Sequence, residues 1–524
     1  MNLKKNSKAK IVPIIISVSF IFFVAILFFG LNLYFSAAKT LKSGENLFKS
    51  ITKNEPPVFS ANFRLWENNC RSLLKKVNFI DRLSGRYLSR RYRIDEFGEL
   101  AEEINRLLPE LVGQEGQRTY FVLLQNDREI RPSGGFMGSY AKVKFANGGL
   151  KEVFFQDIYV PDGQAVGHVD PPLPIQVAFK QGWWKLRDSN WDPDFPSAAK
   201  TIEWFFQKGG EEKADGLIAL NFSLVKEIIR VLGPLYLADY RQSVDENNLY
   251  QVAQSHSEID FFPGSTQKKE IIADLGLALT EKIKNTQADG LKKILGVIYK
   301  GLAEKQILMT FKNPSLNDFV DRQGWNGALK KVKPSKNKDF DDYLYWVETN
   351  LGANKANCCI KREIRHEIDF GQGKTVKESL SLFYKNEGKF STGIPPFFWG
   401  GTYVNYLRIY LPLSYRVTSI DVNGKNLPAE EITLEMKKDF GLQELGFFVR
   451  IPAQKETTVE VNYEISLAEV PENYSLSLQK QPGVAGFLYG LNVKSKTGSF
   501  VYESEIFKDQ VLNFVLGYDK IRQR

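Results

Sequence analysis

The chain has 524 residues, and its 43% of hydrophobic and 13% of aromatic residues exclude an intrinsically disordered protein. This length predicts about two or three domains, each with its own core. The formal net charge is +9, and the three cysteines and three histidines form neither a disulfide framework nor a zinc-ligand pattern.

An apolar segment without charged side chains occupies residues 11–35 and exceeds the roughly 20 residues that a membrane-spanning helix needs. Lys4, Lys5, Lys8 and Lys10 precede this segment, and the flank that follows it is nearly neutral. This asymmetry predicts a cytoplasmic tail over residues 1–10 and a single-pass membrane protein whose bulk is extracytoplasmic. The alternative is a cleaved signal peptide, because residues 36–38 are small, although the apolar core is longer than that of a signal peptide.

A basic helical stalk is predicted over residues 36–112. Between Arg64 and Arg93 the sequence contains nine basic and two acidic residues. Apolar residues at helical spacing predict an amphipathic helix there, and a second helix is predicted from Ile94 to Leu111. These apolar residues are Leu73, Val77, Ile80, Leu83 and Tyr87. The basic face could contact anionic lipid or an envelope polymer, or it could be the solvated face of a stalk, and no nucleic-acid partner is expected in this compartment.

An alternation of strand and helix patterns predicts an α/β domain over residues 113–346, in which a buried strand runs from Tyr120 to Leu124. The strand leads into QNDREIRPSGGFMGSYAKV. A strand and not a helix follows these glycines, so the segment is neither a Walker nor a Rossmann loop. Glycine permits close approach of the backbone, and Arg128 and Arg131 flank Gly134 and Gly135, which suits an anionic ligand. The alternative is a tight connection with solvated charges.

A second motif, RDSNWDPDF, precedes a predicted helix. Asp188, Asp192 and Asp194 could hold Mg²⁺, and Arg187 could bind the same phosphate group. The alternative is capping of the helix by Asp194 or Ser197, because acidic and hydroxyl side chains commonly precede helices.

A C-terminal β-sandwich is predicted over residues 347–524, after a lysine-rich linker from Lys330 to Lys338. Short alternating apolar runs separated by turn residues are typical of that fold. Cys358 and Cys359 fall at the start of one such run, and the pattern predicts small buried thiols in a strand, where neighbouring side chains point to opposite faces.

Three stretches resemble, in order and spacing, the bacterial envelope family called domain of unknown function 4012. They are QNDREIRPSGGFMGSY, WWKLRDSNWDPDFPSAAKTIEWF and ADGLIALNFSLVKEIIRVLGPL. The order of elements is also distantly similar to the LytR-CpsA-Psr family, which transfers glycopolymers from polyprenyl-pyrophosphate carriers to the cell wall. That resemblance implies ligand contacts from Arg131 and Asp157. Its later arginine-rich stretch aligns with Lys268 and Lys269, and lysine does not reproduce a bidentate guanidinium clamp.

The sequence therefore predicts a mixed α+β multidomain protein with one N-terminal transmembrane helix, a LytR-CpsA-Psr-like α/β domain and a β-sandwich. The resemblance implies an envelope protein that binds a polyprenyl-phosphate lipid, a cell-wall polymer or another anionic ligand, and the lysine asymmetry predicts its extracytoplasmic location. The three aspartates could hold Mg²⁺, and no other cofactor is expected. Two alternatives stay open: an active phosphotransferase that attaches glycopolymers to the wall, and a non-catalytic envelope scaffold.

Overall fold

The chain is described by a computed structural model over residues 31–258, 267–333, 338–389, 400–496, 498–516 and 521–523. Residues 1–10 and most of the predicted transmembrane segment, residues 11–35, lie outside the described residues. None of the helices in the described ranges is both long enough and apolar enough to cross a membrane.

Two compact units divide the chain. The first contains the described residues up to Arg118, with Lys144–Glu152 and Lys284–Lys292, and the second contains Thr119–Val143, Val153–Ile283 and the described residues from Lys293 onward. The mixed α+β, multidomain character predicted from the sequence is confirmed.

The first unit is built mainly from four helices. They are α1 (residues 31–52), α2 (Pro56–Leu83), α3 (Tyr87–Tyr92) and α4 (Ile94–Leu111). Proline occupies the first turn of α2, where its missing N–H has no partner to lose. Leu47 and Phe59 are buried in a small core between α1 and α2. Two of the residues predicted to form the apolar face, Leu83 and Tyr87, lie instead on the exposed side, because α2 ends at Leu83 and the chain turns.

The α/β part of the chain contains a sheet whose strands are hydrogen-bonded in the order β3-β2-β1-β4-β7. The strands of this part are β1 (Gln117–Asn126), β2 (Phe136–Ala146), β3 (Gly149–Asp157), β4 (Gly216–Asn221), β5 (Leu235–Leu237), β6 (Gln242–Val244) and β7 (Ile307–Phe311). β1 and β4 are parallel, β4 and β7 are antiparallel, and β5 and β6 form a separate two-stranded sheet. The parallel pair therefore brings the carboxyl ends of β1 and β4 to one edge.

Helices follow and connect these strands. They are α5 (Tyr159–Gln164), α6 (Leu173–Phe179), α7 (Phe195–Lys208), α8 (Phe222–Leu232), α9 (Leu249–Glu258), α10 (Gln267–Lys284), α11 (Ala288–Ala303) and α12 (Pro314–Arg322). The apolar face of α7 packs on the sheet, where Phe206 contacts Phe121 and Tyr140 through their rings. Asp194 caps α7 by accepting a hydrogen bond from the backbone N–H of Ser197.

Two larger sheets form the C-terminal part. Their strands are β8 (Asp339–Asn350), β9 (Ile360–Gln372), β10 (Thr375–Asn386), β11 (Tyr403–Pro412), β12 (Arg416–Val422), β13 (Lys425–Asn426), β14 (Thr433–Lys437), β15 (Leu442–Ile451), β16 (Glu456–Ser466), β17 (Asn473–Gln479), β18 (Phe487–Ser495), β19 (Gly498–Ile506), β20 (Gln510–Leu516) and β21 (Ile521–Gln523). One sheet has the order β13-β12-β16-β10-β9-β18-β19, and the other has β14-β15-β11-β8-β17-β20-β21. Alternate side chains of both sheets enter one apolar core, as in a β-sandwich. β8 begins at Asp339 and so crosses the predicted boundary between residues 346 and 347.

The two adjacent cysteines differ from their prediction. Cys358 and Cys359 lie in a short 3-10 helix, Ala356–Cys359, and not in a strand. Both are half-buried, and a disulfide bond joins their sulfurs. In a helical turn, neighbouring side chains lie about 100 to 120° apart and not on opposite faces. The strand geometry from which two separate thiols were predicted therefore does not apply to these cysteines.

Candidate functional site

The loop between β1 and β2 carries the first predicted site, and its glycines serve close packing of the backbone. Gly134 has a φ of +130°, and a Cβ there would lie 2.4 Å from Asn221 Oδ1. A Cβ on Gly135 would lie 2.4 Å from the backbone carbonyl of Asn126. Both contacts are too short for any side chain, so the sequence needs glycine at these positions whether or not a ligand binds.

Arg131 is a buried structural residue that is only 2% exposed. Its Nη1 donates a 2.5 Å hydrogen bond to the backbone oxygen of Asn350, at the end of β8. Its Nη2 lies 3.1 Å from Glu129 Oε1 and 3.5 Å from Asp188 Oδ1. Ile130 is part of the sandwich core. The loop is therefore fixed between the α/β part and the β-sandwich, a contact that the sequence of the loop does not predict.

Ion pairs extend from Arg131 in both directions. Lys355 contacts Glu129 Oε2 on one side. On the other side, Arg187 Nε lies 3.7 Å from Asp188 Oδ2, and Arg187 Nη1 donates to Asp162 Oδ2 at 2.7 Å. We call this set the charged network. Its members, in order and with alternating sign, are Lys355, Glu129, Arg131, Asp188, Arg187 and Asp162.

Burial sets the protonation of the network's acids. It raises the pKa of Asp188, although Arg131 and Arg187 oppose the shift. It likewise raises the pKa of Asp162 against the attraction of Arg187. Burial also disfavours the charged form of Glu129, but Lys355 and Arg131 outweigh it and lower the pKa of that carboxyl. The two aspartates are thus the groups that take up protons most readily as pH falls.

Arg128, the other arginine of the loop, lies against a different partner. Its guanidinium carbon is 3.6 Å from the centre of the Tyr250 ring, as in a cation–π contact. The Tyr250 hydroxyl donates a 2.6 Å hydrogen bond to Asp127 Oδ1. Burial lowers the pKa of Arg128 and raises that of Asp127. The predicted ligand residues Arg128 and Arg131 therefore belong to two separate clusters.

The three aspartates predicted to hold Mg²⁺ do not converge. Asp188 belongs to the charged network, while Asp192 Oδ1 accepts the backbone N–H of Asp194 at 2.9 Å. Asp194 caps α7 and also accepts the N–H of Leu329. In the described ranges, no group of three or more His, Cys, Asp or Glu side chains could hold a metal ion. Asp194 caps the helix, as the alternative prediction stated. The positions of the three aspartates do not fit a shared metal ion.

The remaining predicted residues come from the family resemblance. Asp157 ends β3, and its Oδ1 accepts the backbone N–H of Tyr159 at 3.0 Å. Lys268 and Lys269 fall in the first turn of α10, and their side chains lie outside what the structure describes. Their roles as ligand residues stay predictions.

A cavity of about 720 Å³ lies beside the charged network, at the carboxyl ends of β1 and β4. Arg131, Arg187 and Lys355 line it together with the acids Glu129 and Asp188. Aromatic side chains form much of the remaining wall: Phe136, Tyr159, Phe179, Phe222 and Tyr250. We call it the α/β cavity.

Two buried amide atoms at this cavity, Gln125 Oε1 and Gln181 Nε2, have no hydrogen-bond partner among the described residues. A buried polar atom without a partner costs free energy, so both are positioned to gain from a polar ligand group or a water molecule. Gln125 is 1% exposed, and its Nε2 donates to Ser133 Oγ at 2.7 Å, which fixes the side chain.

Several residues of the site are not predicted by the sequence. Glu129 was visible in the loop, but nothing local indicated that it pairs with Lys355, 226 residues further on. Asp162 follows β3 within a sequence of ordinary turn residues, and Tyr250 lies in a helix that carried no motif. The adjacency of Glu129 to two arginines was the one available signal.

Residues 115–257 match the family model described as Protein of unknown function (DUF4012). The resemblance to domain of unknown function 4012 is therefore confirmed over that range. The model covers the charged loop, the RDSNWDPDF motif and Tyr250. A comparison with curated proteins found no match.

Solved structures give weak likenesses. TagV of B. subtilis, a LytR-CpsA-Psr protein, is 13% identical, with a TM-score of 0.25 and coverage of 43% of this chain and 87% of TagV. The Lin1025 protein of Listeria innocua is 9% identical, with a TM-score of 0.22 and coverage of 40% and 80%. An M1 zinc metallopeptidase of Deinococcus radiodurans is 8% identical, with a TM-score of 0.15 and coverage of 28% and 39%. The chain thus spans well under two thirds of that peptidase, and similarities this low support no functional argument.

Proposed function

We propose that this chain is an envelope protein whose α/β cavity binds, without turnover, a ligand with an anionic head and an apolar tail. A polyprenyl phosphate is the representative ligand. The observation that carries the proposal is the composition of the cavity, in which three cations lie beside an aromatic wall. A volume of about 720 Å³ falls in the range of about 300 to 1,000 Å³ that is usual for small-molecule sites.

The head group would be bound by the more accessible cations. Arg187 and Lys355 have side chains that are 23% and 16% exposed. Arg187 directs Nη1 and Nε toward acids, which leaves Nη2 for a ligand oxygen. The cavity lining holds three cations and two acids, and proton uptake by Asp188 would increase its net positive charge, since burial already raises the pKa of this carboxyl.

The proposal does not extend to glycopolymer transfer. Arg131 is the residue that the family resemblance implies for phosphate binding, yet its contacts are with Asn350, Glu129 and Asp188. The three aspartates predicted as metal ligands do not converge, so among the described residues they form no shared site for a metal ion that would assist a leaving group.

The location of the protein is part of the proposal. The lysines before the apolar segment favour a cytoplasmic N-terminus and an outer location for everything after residue 35. In that position the α/β cavity would face the compartment in which lipid-linked envelope precursors are consumed.

Titration of the purified full chain with farnesyl phosphate tests the proposal. Farnesol, which lacks the anion, and inorganic phosphate, which lacks the tail, serve as partial ligands. Binding is measured by the change in tryptophan fluorescence. We expect farnesyl phosphate to bind at least tenfold more tightly than either partial ligand, because a charge-assisted contact contributes about 1.5 to 3 kcal/mol.

Arg187→Gln should weaken farnesyl phosphate binding at least tenfold and leave farnesol binding unchanged. Arg416→Gln, which removes an exposed cation of the β-sandwich, is the matched control. Equal affinity for farnesol and farnesyl phosphate would mean an apolar site without anion recognition. Absence of binding to any of the three compounds would favour the scaffold alternative.

Binding should also depend on pH through Asp188. Protonation of this buried acid removes a negative charge from the cavity, so affinity for farnesyl phosphate should increase as pH falls. Asp188→Asn imitates the protonated form and should bind severalfold more tightly at high pH, with a flatter pH profile. An unchanged profile in this variant would show that Asp188 does not face the bound anion.

A further inference from the structure

We infer that one end of the helical unit is a docking surface for the anionic headgroups of a lipid bilayer. We call it the helical tip. It consists of residues 31–35 of α1 and the segment Phe79–Phe97, which includes the end of α2, all of α3 and the start of α4. The inference is independent of the α/β cavity.

The helix pairing brings these segments to one level. Asn69 Nδ2 donates to Ser43 Oγ at 3.0 Å, and Asn62 Nδ2 donates to the backbone oxygen of Asn46 at 3.2 Å. The later residue of α2 pairs with the earlier residue of α1, so the two helices are antiparallel. At 1.5 Å per residue, Leu31 lies about 18 Å beyond Ser43, and α2 reaches the same level just before its end at Leu83.

α4 returns along α2 in the opposite direction. The position of a Cβ on Gly98 would be 3.7 Å from Leu74, while Asn105 forms a hydrogen bond with Cys70 that affects the pKa of this thiol. The start of α4 therefore lies at the same end as the last turn of α2. α3 forms the corner between them and is held by Asp81, which accepts hydrogen bonds from the backbone N–H and the hydroxyl of Ser89.

The helical tip is strongly basic. Its exposed arginines are Arg82, Arg86, Arg90, Arg91 and Arg93. Three acids lie in the same segment, of which Asp81 is buried and Glu96 pairs with Arg93. The tip therefore keeps a net positive charge, which complements the anionic phosphates of a lipid surface.

Large apolar side chains are exposed among these arginines. Leu83 is 70% exposed, Tyr87 is 59% exposed and Phe97 is 54% exposed. In α1, Tyr34 and Phe35 are exposed to a similar degree. Aromatic rings next to cations are characteristic of the interfacial zone of a bilayer, where the ring lies at the headgroup level.

The tip pairs exposed cations with exposed apolar side chains at the end of α2. Arg82 is exposed next to Leu83, and Phe79, one turn before Leu83, is 50% exposed. A soluble polyanion would require only the cations, so the apolar side chains beside them favour a membrane surface over an envelope polymer.

The position of the tip along the chain also favours a membrane surface. Residues 31–35 end the uncharged sequence that starts at residue 11, so the chain joins the tip directly from its most apolar segment. A membrane that held that segment would lie at the level of the tip arginines.

Hydrogen exchange of the full chain in vesicles tests the inference. One set of vesicles contains phosphatidylcholine alone, and the other contains phosphatidylglycerol as roughly a third of the lipid. We expect amides of residues 79–97 to exchange at least about fivefold more slowly in the anionic vesicles, which is the effect of one cation at such a surface. The difference should disappear at about 0.5 M salt because the charges are then screened.

A triple variant with Arg82→Gln, Arg86→Gln and Arg90→Gln should lose the difference between the two vesicles. All three side chains are exposed, so the fold should persist. The matched control removes three exposed cations of the β-sandwich, with Lys361→Gln, Arg365→Gln and Lys494→Gln, and should keep the difference.

Three results would overturn the inference. They are equal exchange of residues 79–97 in the two vesicles, loss of the difference in the control variant, and slowing by soluble polyphosphate with none by anionic vesicles. The last result would identify a polymer as the partner. None of them bears on ligand binding by the α/β cavity, which is measured separately with farnesyl phosphate.

Discussion

Replacing Arg131 with methionine tests whether this residue holds the charged network together. Methionine keeps a long apolar side chain but removes a guanidinium that is 2% exposed. Glu129 and Asp188 would then stay buried with one cation fewer, and the backbone oxygen of Asn350 would lose its donor. Breaking a buried ion pair by removing one partner costs about 3 to 5 kcal/mol. Because Asp188 can take up a proton instead, we expect about 3 kcal/mol.

The loss should be measured by urea unfolding of the full chain, followed by tryptophan fluorescence. The indole N–H of Trp184 donates to the backbone oxygen of Asp188, so this tryptophan also reports on the network locally. Adding Asp188→Asn to Arg131→Met should recover part of the loss, because the second change removes a buried charge that has lost its partner. Asp188→Asn alone should not be stabilising to the same extent.

Arg416→Met is the control for the loss of a cation as such. Arg416 is 75% exposed and pairs with Glu464 on the surface, where an ion pair contributes little, so its replacement should change stability by less than about 1 kcal/mol. If Arg131→Met lowered stability no more than Arg416→Met, Arg131 would not be a structural residue. The reasoning from burial would then be refuted, and Arg131 would again be a candidate for ligand contact.

Two further predictions concern the β-sandwich. Gly483→Ala should lower stability by about 2 kcal/mol or more, because its Cβ would lie 1.9 Å from the backbone oxygen of Gly134. Gly424 has a similar positive φ and no neighbour within 4 Å, so Gly424→Ala is the control and should show only the cost of the backbone conformation. Glu378 is fully buried against His366, and burial raises the pKa of this carboxyl to about 8. Between about pH 4.5 and pH 8 the unfolded chain releases a proton that the folded chain retains, so folding stability should fall as pH rises through this range. Glu378→Gln should make this dependence shallower by about 1.4 kcal/mol per pH unit, measured by urea unfolding across that range, and an unchanged slope would contradict the assignment.

Local patterns predicted the strands well because their signals are contained in a few residues. The run from Tyr120 to Leu124 is apolar and lies within β1, and the turn residues Asn147 and Gly148 connect β2 to β3. Asn147 and Gly148 both have a positive φ, which these residue types adopt at low cost. Such features depend on backbone preferences and on one buried face.

Contacts between distant parts of the chain could not be predicted in this way. The sequence predicts Arg131 as a ligand residue because it shows the charge and the glycine neighbours of this arginine but not its partners. Its hydrogen-bond acceptor Asn350 is 219 residues away, and Gln481, which donates to the Arg131 backbone oxygen, is 350 residues away. A charge in a loop is usually solvated, and only the three-dimensional arrangement shows that the β-sandwich covers this one.

The same limit applies to the histidines. The three histidines of the chain form no zinc-ligand pattern, and nothing in the local sequence distinguishes His366. It is in fact buried in the sandwich core, where its ring nitrogens contact Glu378, Tyr489 and Tyr463. Burial lowers its pKa to about 4. Alternation of polar and apolar residues marked the strand correctly, but an inward-facing histidine breaks the pattern only at a single position.

The loop after β1 connects the β-sandwich with the α/β cavity. Its glycines allow the backbone to pass close to Asn221 and Gly483, and its buried arginine holds the end of β8. One side of the network is therefore fixed by the β-sandwich, while Arg187 at the other side lies at the α/β cavity. A ligand anion that attracts Arg187 away from Asp188 would change the charge balance at Arg131, and hence the contact with Asn350. Binding in the cavity and the stability of this junction should consequently be coupled. The free energy by which the bound anion changes the contact between Arg131 and Asn350 equals the free energy by which that contact changes binding of the anion.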